Sequence, residues 1–325
     1  MPNDVRLRLR PLEHGRDRDP LTLEIAMHAG SEMVAEVGIQ ALTFRRNLLA
    51  HKGRIKECLQ AWMPFFVRIY SAIGSRYVAQ VSAGDAGEPG VLSMDGLSAG
   101  ELIPDLYSMR ASRNGNYLGK AQTFSRFKSA WILRKPLIFW RGGTTGIGAV
   151  YPIDDLNSLK DNLRVRLCLA YRDTAHCDIK LSRLVQLKAQ FCSEAKSWLE
   201  MQSILSEQVP ESEFRNYKYY PDIPGNCLAW GTIYKHLSGC LVFRPPSCRQ
   251  LYYYRFMQAW RHFVPVLEDY SDLVARQEWC ERHPDQAAWI AWMGYRAANR
   301  YVKTIGGCFV DAVLSGIKQL DAIEI

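Results

Sequence analysis

Two glycine-containing segments of this chain combine the residue types that bind anions such as a diphosphate. Lys218–Asn226 reads as a strand and a glycine turn, and a short helix is expected after it. Such a turn aims backbone N–H groups and a helix N-terminus at one point, where negative charge is favoured. In Phe139–Gly143, Arg141 is followed by two glycines that leave room for a phosphate oxygen. A guanidinium fork suits a diphosphate better than an ammonium does, and a structural salt bridge at a strand end is the alternative for Arg141.

An aspartate that follows an apolar strand is the candidate general base. Asp85 comes after the strand predicted at 76–81 and lies among glycines. A carboxylate at that position could accept a proton from a hydroxyl group, or it could be a turn residue, since aspartate is common in turns. Asp95, Asp105 and Asp178 are rivals for the same role.

Cysteine spacing and overall charge limit the other classes of site. The nine cysteines include no CxxC pair and no Cys/His cluster at metal-ligand spacing, so we expect no bound metal. Lys and Arg number 41 against 33 Asp and Glu, a net charge of +8 that suits a nucleotide or acidic lipid headgroups. Basic stretches with interleaved aromatic residues are missing, so we do not expect a nucleic-acid partner.

The N-terminus and the hydropathy pattern bear on the location of the protein. Residues 1–20 are charged and lack the apolar core of a signal peptide, and no run of 18 apolar residues occurs anywhere in the chain. We therefore expect a cytoplasmic protein. The basic charge adds the expectation of a peripheral contact with the inner face of a membrane.

The candidate residues require strands whose ends meet. Strands expected at 136–140, 217–222, 240–243 and 263–266 alternate with helices expected at 155–170, 227–237 and 248–260, which predicts a mostly parallel α/β sheet. Ligands of such sheets bind beyond the carboxyl ends of the strands. In the first part of the chain, apolar residues from Ser31 to Gly74 recur at helical spacing, which predicts two or three helices.

Three blocks of sequence, in this order, resemble those of glycosyltransferase family 90, which includes protein O-glucosyltransferases and capsule xylosyltransferases. They are Phe139–Gly143, Lys218–Phe243 and His262–Leu273. The resemblance implies a GT-B-like α/β fold of two Rossmann-like domains with a cleft between them. It also implies inverting, metal-independent transfer of a glucose- or xylose-type sugar from a UDP-sugar to a hydroxyl acceptor, with no cofactor besides the donor itself.

The resemblance also implies a division of the chain and an acceptor. We expect a flexible N-terminus at 1–20, an acceptor-side domain at 21–195 and a nucleotide-sugar-binding domain at 196–325. The expected acceptor is a cell-surface polysaccharide, a lipopolysaccharide or a lipid-linked glycan.

Individual site residues follow from the matched blocks. Arg141-Gly142 matches the family's Arg-Gly-Ser, whose arginine contacts the donor diphosphate, and Asp85 is the best match to the base. The second block supplies the remaining donor-site candidates, which are Lys218, Gly225, Asn226, Cys227 and Lys235.

One position departs from the family pattern. Many relatives have Ala-Ser-x-Arg after the turn glycine, with the arginine on the diphosphate, whereas this chain has Gly231 at that position. Lys235, one helical turn further on, is the candidate substitute. A divergent, non-catalytic nucleotide-sugar-binding protein is therefore an alternative, and a transferase that uses another activated donor is a third reading.

Overall fold

The computed structural model divides the chain into two compact units. The first comprises residues 1–113, 248–255 and 301–325, and the second comprises 114–247 and 256–300. The domain boundary predicted between 195 and 196 falls inside the second unit. The residues that the structure describes are 5–12, 22–29, 33–40, 44–73, 77–84, 91–97, 102–113, 123–146 and 152–321.

Strands and helices of these residues are numbered in chain order. The strands are β1 (Val5–Leu12), β2 (Thr22–Ala29), β3 (Met33–Gln40), β4 (Tyr77–Ser82), β5 (Asp95–Gly96), β6 (Lys135–Gly143), β7 (Cys177–Arg183), β8 (Tyr217–Pro221), β9 (Leu241–Arg244), β10 (Gln250–Leu251) and β11 (Val264–Pro265). The helices are α1 (Phe44–Ile73), α2 (Leu106–Arg113), α3 (Phe124–Ile132), α4 (Leu156–Asp161), α5 (Leu163–Tyr171), α6 (Cys192–Met201), α7 (Thr232–Leu237), α8 (Leu273–Arg282) and α9 (Pro284–Asp321).

The first unit contains a four-stranded sheet in the order β1-β3-β2-β4. β1 pairs with β3 in parallel, whereas β2 is antiparallel to both β3 and β4. Only residues 30–32 connect β2 to β3, which is long enough for a hairpin and too short for a parallel crossover. This mixed sheet differs from the second Rossmann-like domain that the resemblance implied.

Two stretches of the first unit differ from the sequence-based expectations. Residues 33–40, assigned to a helix, form β3, in which Ala35 and Val37 are buried with the two-residue period of a strand. β3 has strand partners on both sides, and α1 is the helix that follows it. The segment 1–20, expected to be flexible, contains β1, because its backbone pairs with β3 along all eight residues. Residues 1–4 and 13–20 lie outside the described residues.

The second unit is built on five parallel strands in the order β11-β9-β8-β6-β7. The chain passes outward from β6 to β7 and then returns to the other side of β6 with β8. The strand order therefore reverses between β6 and β8, which is the topological switch point where open α/β sheets bind ligands. The prediction of an α/β fold with a mostly parallel sheet is confirmed in this unit.

Apolar runs in the sequence account for this sheet. Leu137 to Trp140 of β6 form a near-continuous apolar run, typical of a parallel strand that is covered on both faces. The rings of Tyr219 in β8 and Phe243 in β9 stack with centroids 5.3 Å apart, and both residues are buried. The packed sheet gives a fixed base for the loops at its edges.

Two helices predicted from the sequence have a different form. The helix expected at 155–170 is divided into α4 and α5 at Asn162, whose backbone is extended (φ −61°, ψ 126°). The helix expected at 248–260 is replaced by β10 and a 3₁₀ turn at Tyr252–Phe256. β10 pairs with β5 of the same unit, so a pairing distant in sequence overrides the local helical preference.

Candidate functional site

The side chain of Arg164 joins the two loops that leave β6 and β8 at the switch point. Its Nη1 donates hydrogen bonds to the carbonyl oxygen of Gly143 at 3.2 Å and to Oγ1 of Thr145 at 2.5 Å. Its Nε and Nη2 donate to the carbonyl oxygens of Pro224 and Ile223 at 2.9 and 3.0 Å. The guanidinium therefore holds the carboxyl ends of two adjacent strands together and places a positive charge between them.

The side chain of Asn162 holds Arg164 at this position. Oδ1 of Asn162 accepts hydrogen bonds from the backbone N–H groups of Arg164 and Val165 at 2.9 and 3.2 Å, which caps the first turn of α5. Its Nδ2 donates to the carbonyl oxygen of Thr144 at 2.9 Å. One side chain thus fixes the start of α5 against the loop after β6, and a residue in the first turn reaches the switch point.

Gly225 brings the loop after β8 close to this arginine. A Cβ atom on Gly225 would lie 3.0 Å from Oγ1 of Thr145 and 3.2 Å from Nη2 of Arg164, closer than an ordinary van der Waals contact. The backbone N–H of Gly225 donates to the carbonyl oxygen of Cys227 at 2.8 Å, and Asn226 between them is exposed. Of the predicted donor-site residues, Gly225, Asn226 and Cys227 therefore lie in the turn beside the β6 loop.

Arg164 was not among the residues selected from the sequence. The signal that could have identified it is Asn162, a strong N-cap residue placed two positions before an arginine. A helix that follows a strand in an α/β unit begins near the carboxyl end of that strand. Any arginine in its first turn therefore lies near the ligand-binding edge of the sheet.

Arg141 is ion-paired on the other face of β6. Its Nη2 lies 2.8 Å from the carboxylate of Asp178, and its Nη1 donates to the carbonyl oxygen of Asp178 at 2.8 Å. The guanidinium lies over the ring of Phe139, whereas Arg164 lies over the ring of Trp140. Successive side chains of a strand point to opposite faces, so the two arginines lie on different faces of β6. The structure contains the salt bridge that the sequence left as the alternative, and contact of Arg141 with a diphosphate stays a prediction.

Gly142 has a packing role within β6. A Cβ atom at this position would lie 2.3 Å from Cζ2 of Trp140, a separation that real Cβ atoms do not reach. The absence of a side chain therefore lets the indole of Trp140 lie along the strand. Its predicted contact with the donor stays a prediction.

Both lysines predicted to contact the donor are also ion-paired. Nζ of Lys218 lies 3.0 Å from the carboxylate of Glu281, and this lysine is the second residue of β8, at the end of the strand opposite Gly225. Nζ of Lys235 lies 2.5 Å from the carboxylate of Glu211. Burial lowers the pKa of Lys235, and the neighbouring Glu211 raises it. The structure does not bring Lys218 to the turn, and the donor contacts of both lysines remain predictions.

Gly231, where many relatives have an arginine, has room for a side chain. Its backbone is ordinary helical (φ −66°, ψ −11°), and no atom of the described residues lies within 4 Å of a Cβ built at this position. The next residue, Thr232, donates from its hydroxyl to Oδ1 of Asp222 at 2.6 Å, which ties α7 to the end of β8. A side chain at position 231 would therefore have room among the residues that the structure describes.

Asp85 lies outside the described residues, so its role as general base stays a prediction. The described chain on this side of it ends at Gly84, whose N–H donates to Oγ of Ser82 at 3.1 Å. One rival, Asp178, is the ion-pair partner of Arg141.

The other two rival aspartates are buried and engaged. Asp95 is fully buried, and its Oδ1 lies 2.6 Å from Nε of Arg249. Asp105 accepts hydrogen bonds from the backbone N–H and the hydroxyl of Ser108 at 2.9 and 2.6 Å. Burial raises the pKa of Asp105 to about 6. Both carboxylates thus have structural partners within the first unit.

The described ranges contain neither a cluster of metal-ligating side chains nor a membrane-spanning helix. There, no group of three or more His, Cys, Asp or Glu side chains is arranged to hold a metal ion. No helix in this part of the chain is both long and apolar enough to cross a membrane.

The chain matches a known family over the region that contains the switch point. Residues 124–304, more than half of the chain, match glycosyl transferase family 90. The matched region includes β6, α5 and β8, and both loops that Arg164 joins. The chain therefore belongs to glycosyl transferase family 90, and the resemblance seen in the sequence is confirmed.

Individual relatives match shorter parts of the chain. Protein O-glucosyltransferase 2 of Danio rerio is 29% identical over 98 residues, which is 30% of this chain and 20% of that protein. Protein O-glucosyltransferase 3 of Homo sapiens is 29% identical over 87 residues, or 27% of this chain and 17% of that protein. The uncharacterized protein 027R of Frog virus 3 is 27% identical over 189 residues, or 52% of this chain and 18% of that protein. The matches thus span about a fifth of the length of these relatives.

Two solved structures show a weak likeness. The C-terminal domain of a glycosyl transferase group 1 family protein from Francisella tularensis has a TM-score of 0.34 and 10% identity, over 54% of this chain and 92% of that one. A glycosyltransferase involved in lipopolysaccharide biosynthesis has a TM-score of 0.25 and 11% identity, over 63% of this chain and 54% of that one. Membership of the family therefore rests on the sequence match.

Proposed function

We propose that this protein transfers a sugar from a UDP-sugar to a hydroxyl group of a glycan acceptor, and that the donor binds at the switch point between β6 and β8. The observation that carries this proposal is the junction of Gly143–Thr145 and Ile223–Gly225 through Arg164. Both loops belong to the segment that matches the glycosyltransferase family. The site is thus argued from sheet topology and from a charged side chain at its centre.

The chemistry of sugar transfer explains why a cation is needed at this junction. With inversion, the acceptor oxygen attacks the anomeric carbon while the bond from that carbon to the UDP oxygen breaks. Negative charge then builds up on the diphosphate. The guanidinium of Arg164 would stabilise this charge where it develops, in place of a metal ion.

Glycine at position 225 serves the same purpose. The loop after β8 carries no side chain there, which leaves room for Oγ1 of Thr145 and lets the guanidinium of Arg164 lie close to the loop backbone. Asn226 and Cys227 continue this turn and are the proposed neighbours of the nucleotide.

Asp85 is the proposed base. Its carboxylate would take the proton from the acceptor hydroxyl during the attack, a contribution that is typically about 10²–10⁴-fold in rate. The proposed sugar is of the glucose or xylose type, and the names of the similar protein O-glucosyltransferases support the former. The proposed acceptor is a cell-surface polysaccharide, a lipopolysaccharide or a lipid-linked glycan, modified at the cytoplasmic face of a membrane.

Calorimetry and a turnover assay test this proposal together. We expect UDP to bind, and we expect UDP-glucose or UDP-xylose to be hydrolysed or transferred in the presence of EDTA. Asp85→Asn should keep the UDP affinity and lower turnover by at least about 10²-fold. Asp173→Asn, at an exposed carboxylate, is the control. Turnover that requires Mn²⁺, or that proceeds with GDP- or CMP-sugars only, would contradict the proposed mechanism or donor.

A non-catalytic nucleotide-sugar-binding protein is the second candidate function. The observation that favours it is Gly231, which leaves empty the position of a diphosphate-binding arginine in many relatives. UDP binding without turnover of any sugar nucleotide, in the presence of a glycan acceptor mixture, would support this candidate over the enzyme.

A further inference from the structure

The end of α3 exposes two neighbouring apolar side chains. Leu133 is 86% exposed and Ile132 is 42% exposed, although large apolar residues of folded proteins are usually buried. The opposite side of the same helix is buried through Phe127 and Trp131. The helix is therefore anchored by one apolar face and presents further apolar side chains to solvent at its C-terminal end.

The exposed side of this segment is strongly basic. Residues 123–136 contain four basic side chains, Arg126, Lys128, Arg134 and Lys135, and no acidic one. Lys128 pairs with Asp285 at 2.6 Å. Arg126 and Lys135 are exposed, and residues 123–136 include no carboxylate that could pair with them.

Arg134 has an unsatisfied donor at the centre of this basic segment. Its Nη1 is buried and has no hydrogen-bond partner among the residues that the structure describes. Burial lowers the pKa of Arg134, and the positive charge of Arg215 lowers it further. This end of the guanidinium is thus withdrawn from solvent, so Arg134 does not belong to the exposed basic side chains of the segment.

The segment packs against α9 through aromatic side chains. The ring of Phe124 contacts Trp289 with centroids 5.0 Å apart, and the ring of Phe127 contacts Trp292 at 5.3 Å. Trp289 is itself 44% exposed and lies beside the start of α3. An exposed tryptophan is typical of the boundary between lipid headgroups and acyl chains.

We infer that this face docks on a membrane that contains anionic lipids, and we name it the α3 surface, defined by Arg126, Ile132, Leu133 and Lys135. Basic side chains would contact the headgroups, and the two exposed apolar residues would enter the boundary with the acyl chains. The charge pattern favours lipid over a protein partner, because residues 123–136 include no acidic side chain and the neighbouring carboxylate of Asp285 is paired with Lys128.

The α3 surface is separate from the proposed donor site within the second unit. α3 leads into the amino end of β6, whereas Arg164 joins the loop at the carboxyl end of that strand. Docking would bring the enzyme to membrane-bound glycans without blocking the switch point on the same strand. The inference therefore goes beyond the proposed function, and the two can fail independently.

Flotation of the whole protein with lipid vesicles tests the inference. We expect binding to vesicles of phosphatidylcholine with 30% phosphatidylglycerol, and little binding to pure phosphatidylcholine. The double variant Ile132→Ser/Leu133→Ser should bind at least about 10-fold more weakly. Arg126→Gln/Lys135→Gln should lose roughly fivefold per charge removed. Leu267→Ser, at another exposed leucine, is the matched control and should bind as the unchanged protein does.

Three outcomes would overturn the inference. These are no binding to the anionic vesicles, equal binding to neutral vesicles, and unchanged binding of both multiple variants. Sedimentation analysis measures the oligomeric state and so distinguishes membrane docking from self-association. Variants that change the oligomeric state without changing vesicle binding would assign this face to contact with a second copy of the chain. Each variant should also keep the UDP affinity of the unchanged protein, which separates this test from that of the donor site.

Discussion

The amino and carboxyl ends of the parallel strands in the second unit hold their charged residues in different ways. Near the amino end of β8, Lys218 is paired with Glu281, which also accepts a short hydrogen bond from the hydroxyl of Tyr219. Near the carboxyl ends of β6 and β8, the four hydrogen bonds described for Arg164 go to carbonyl and hydroxyl oxygens of two loops. One arrangement neutralises a cation inside a helix–sheet contact, and the other fixes a cation at the ligand-binding edge.

This difference indicates which cations lie where an anionic ligand is expected to bind. A buried ion pair loses much of its benefit to desolvation, and the loss of one partner leaves a charge that is costly to bury. Lys218 and Arg141 are therefore better suited to stabilise the fold than to release their partner for a diphosphate. Arg164 donates four hydrogen bonds to carbonyl and hydroxyl oxygens of two loops, and these bonds orient its guanidinium at the ligand-binding edge.

The largest expected effect is that of Arg164→Gln on the binding of UDP. The change removes a charge-assisted contact with the diphosphate and loosens two loops, and we expect the dissociation constant to rise by about 10²-fold, equal to the loss of roughly 3 kcal/mol. Calorimetry measures the constant, and thermal unfolding checks that the variant is folded. Arg166→Gln, exposed on the same helix, should leave the constant unchanged. An unchanged affinity in folded Arg164→Gln would move the donor site away from the switch point.

The variants Arg141→Met and Asp178→Asn test whether Arg141 stabilises the fold through its ion pair. If Arg141 is the partner of Asp178, both variants should lower the free energy of unfolding by about 1–3 kcal/mol, because each leaves half of a partly buried pair. The dissociation constant of UDP should change by less than about threefold. Urea unfolding and calorimetry measure the two quantities. A large loss of UDP affinity in Arg141→Met, with Asp178→Asn normal, would return Arg141 to the donor site.

The buried side chain of His236 should make the free energy of unfolding depend on pH. Burial, with smaller contributions from the neighbouring Arg244 and His262, lowers its pKa from an ordinary value of 6.5 to about 3. Neither ring nitrogen has a hydrogen-bond partner among the described residues. Between pH 3 and 6.5 the unfolded chain therefore binds more protons than the folded chain. Stability should be complete above about pH 6.5 and fall with decreasing pH by up to about 1.4 kcal/mol per unit.

Urea unfolding at pH 7.5, 6.0 and 5.0 measures this effect. His236→Gln should flatten the dependence on pH, whereas His176→Gln, at a half-buried histidine of the same unit, should keep it. Equal slopes in the unchanged protein and in His236→Gln would show that another group titrates.

The smallest expected effect is a gain of affinity in Gly231→Arg. The position has open space and ordinary helical dihedral angles, so an arginine can be added without a clash. A second guanidinium near the turn should tighten UDP binding by about 5- to 10-fold, the gain from roughly one hydrogen bond to a charged group. Gly307→Arg, which adds the same charge at another open position, is the control. A weaker affinity in Gly231→Arg would show that this space is needed by the donor.

Much of the second unit can be predicted from local sequence. The strands expected at 217–222, 240–243 and 263–266 correspond to β8, β9 and β11, because short apolar runs between Gly and Pro residues permit little else. Local pattern fails where partners are distant. β3 has apolar positions that fit a helix or a strand, and its pairing with both neighbours in the sheet decides between them.

The sequence by itself determined the family of this protein, its parallel α/β sheet and the glycine turn at Gly225. Only the tertiary structure decided which cations lie at the ligand-binding edge. The reason is the range of the interactions, since Arg141 and Asp178 are 37 positions apart and Lys218 and Glu281 are 63 apart. Arg164 likewise reaches a carbonyl oxygen 60 positions away, at Pro224. Composition and spacing describe neighbours along the chain, whereas the cations that lie at a ligand-binding edge depend on neighbours that only folding brings together.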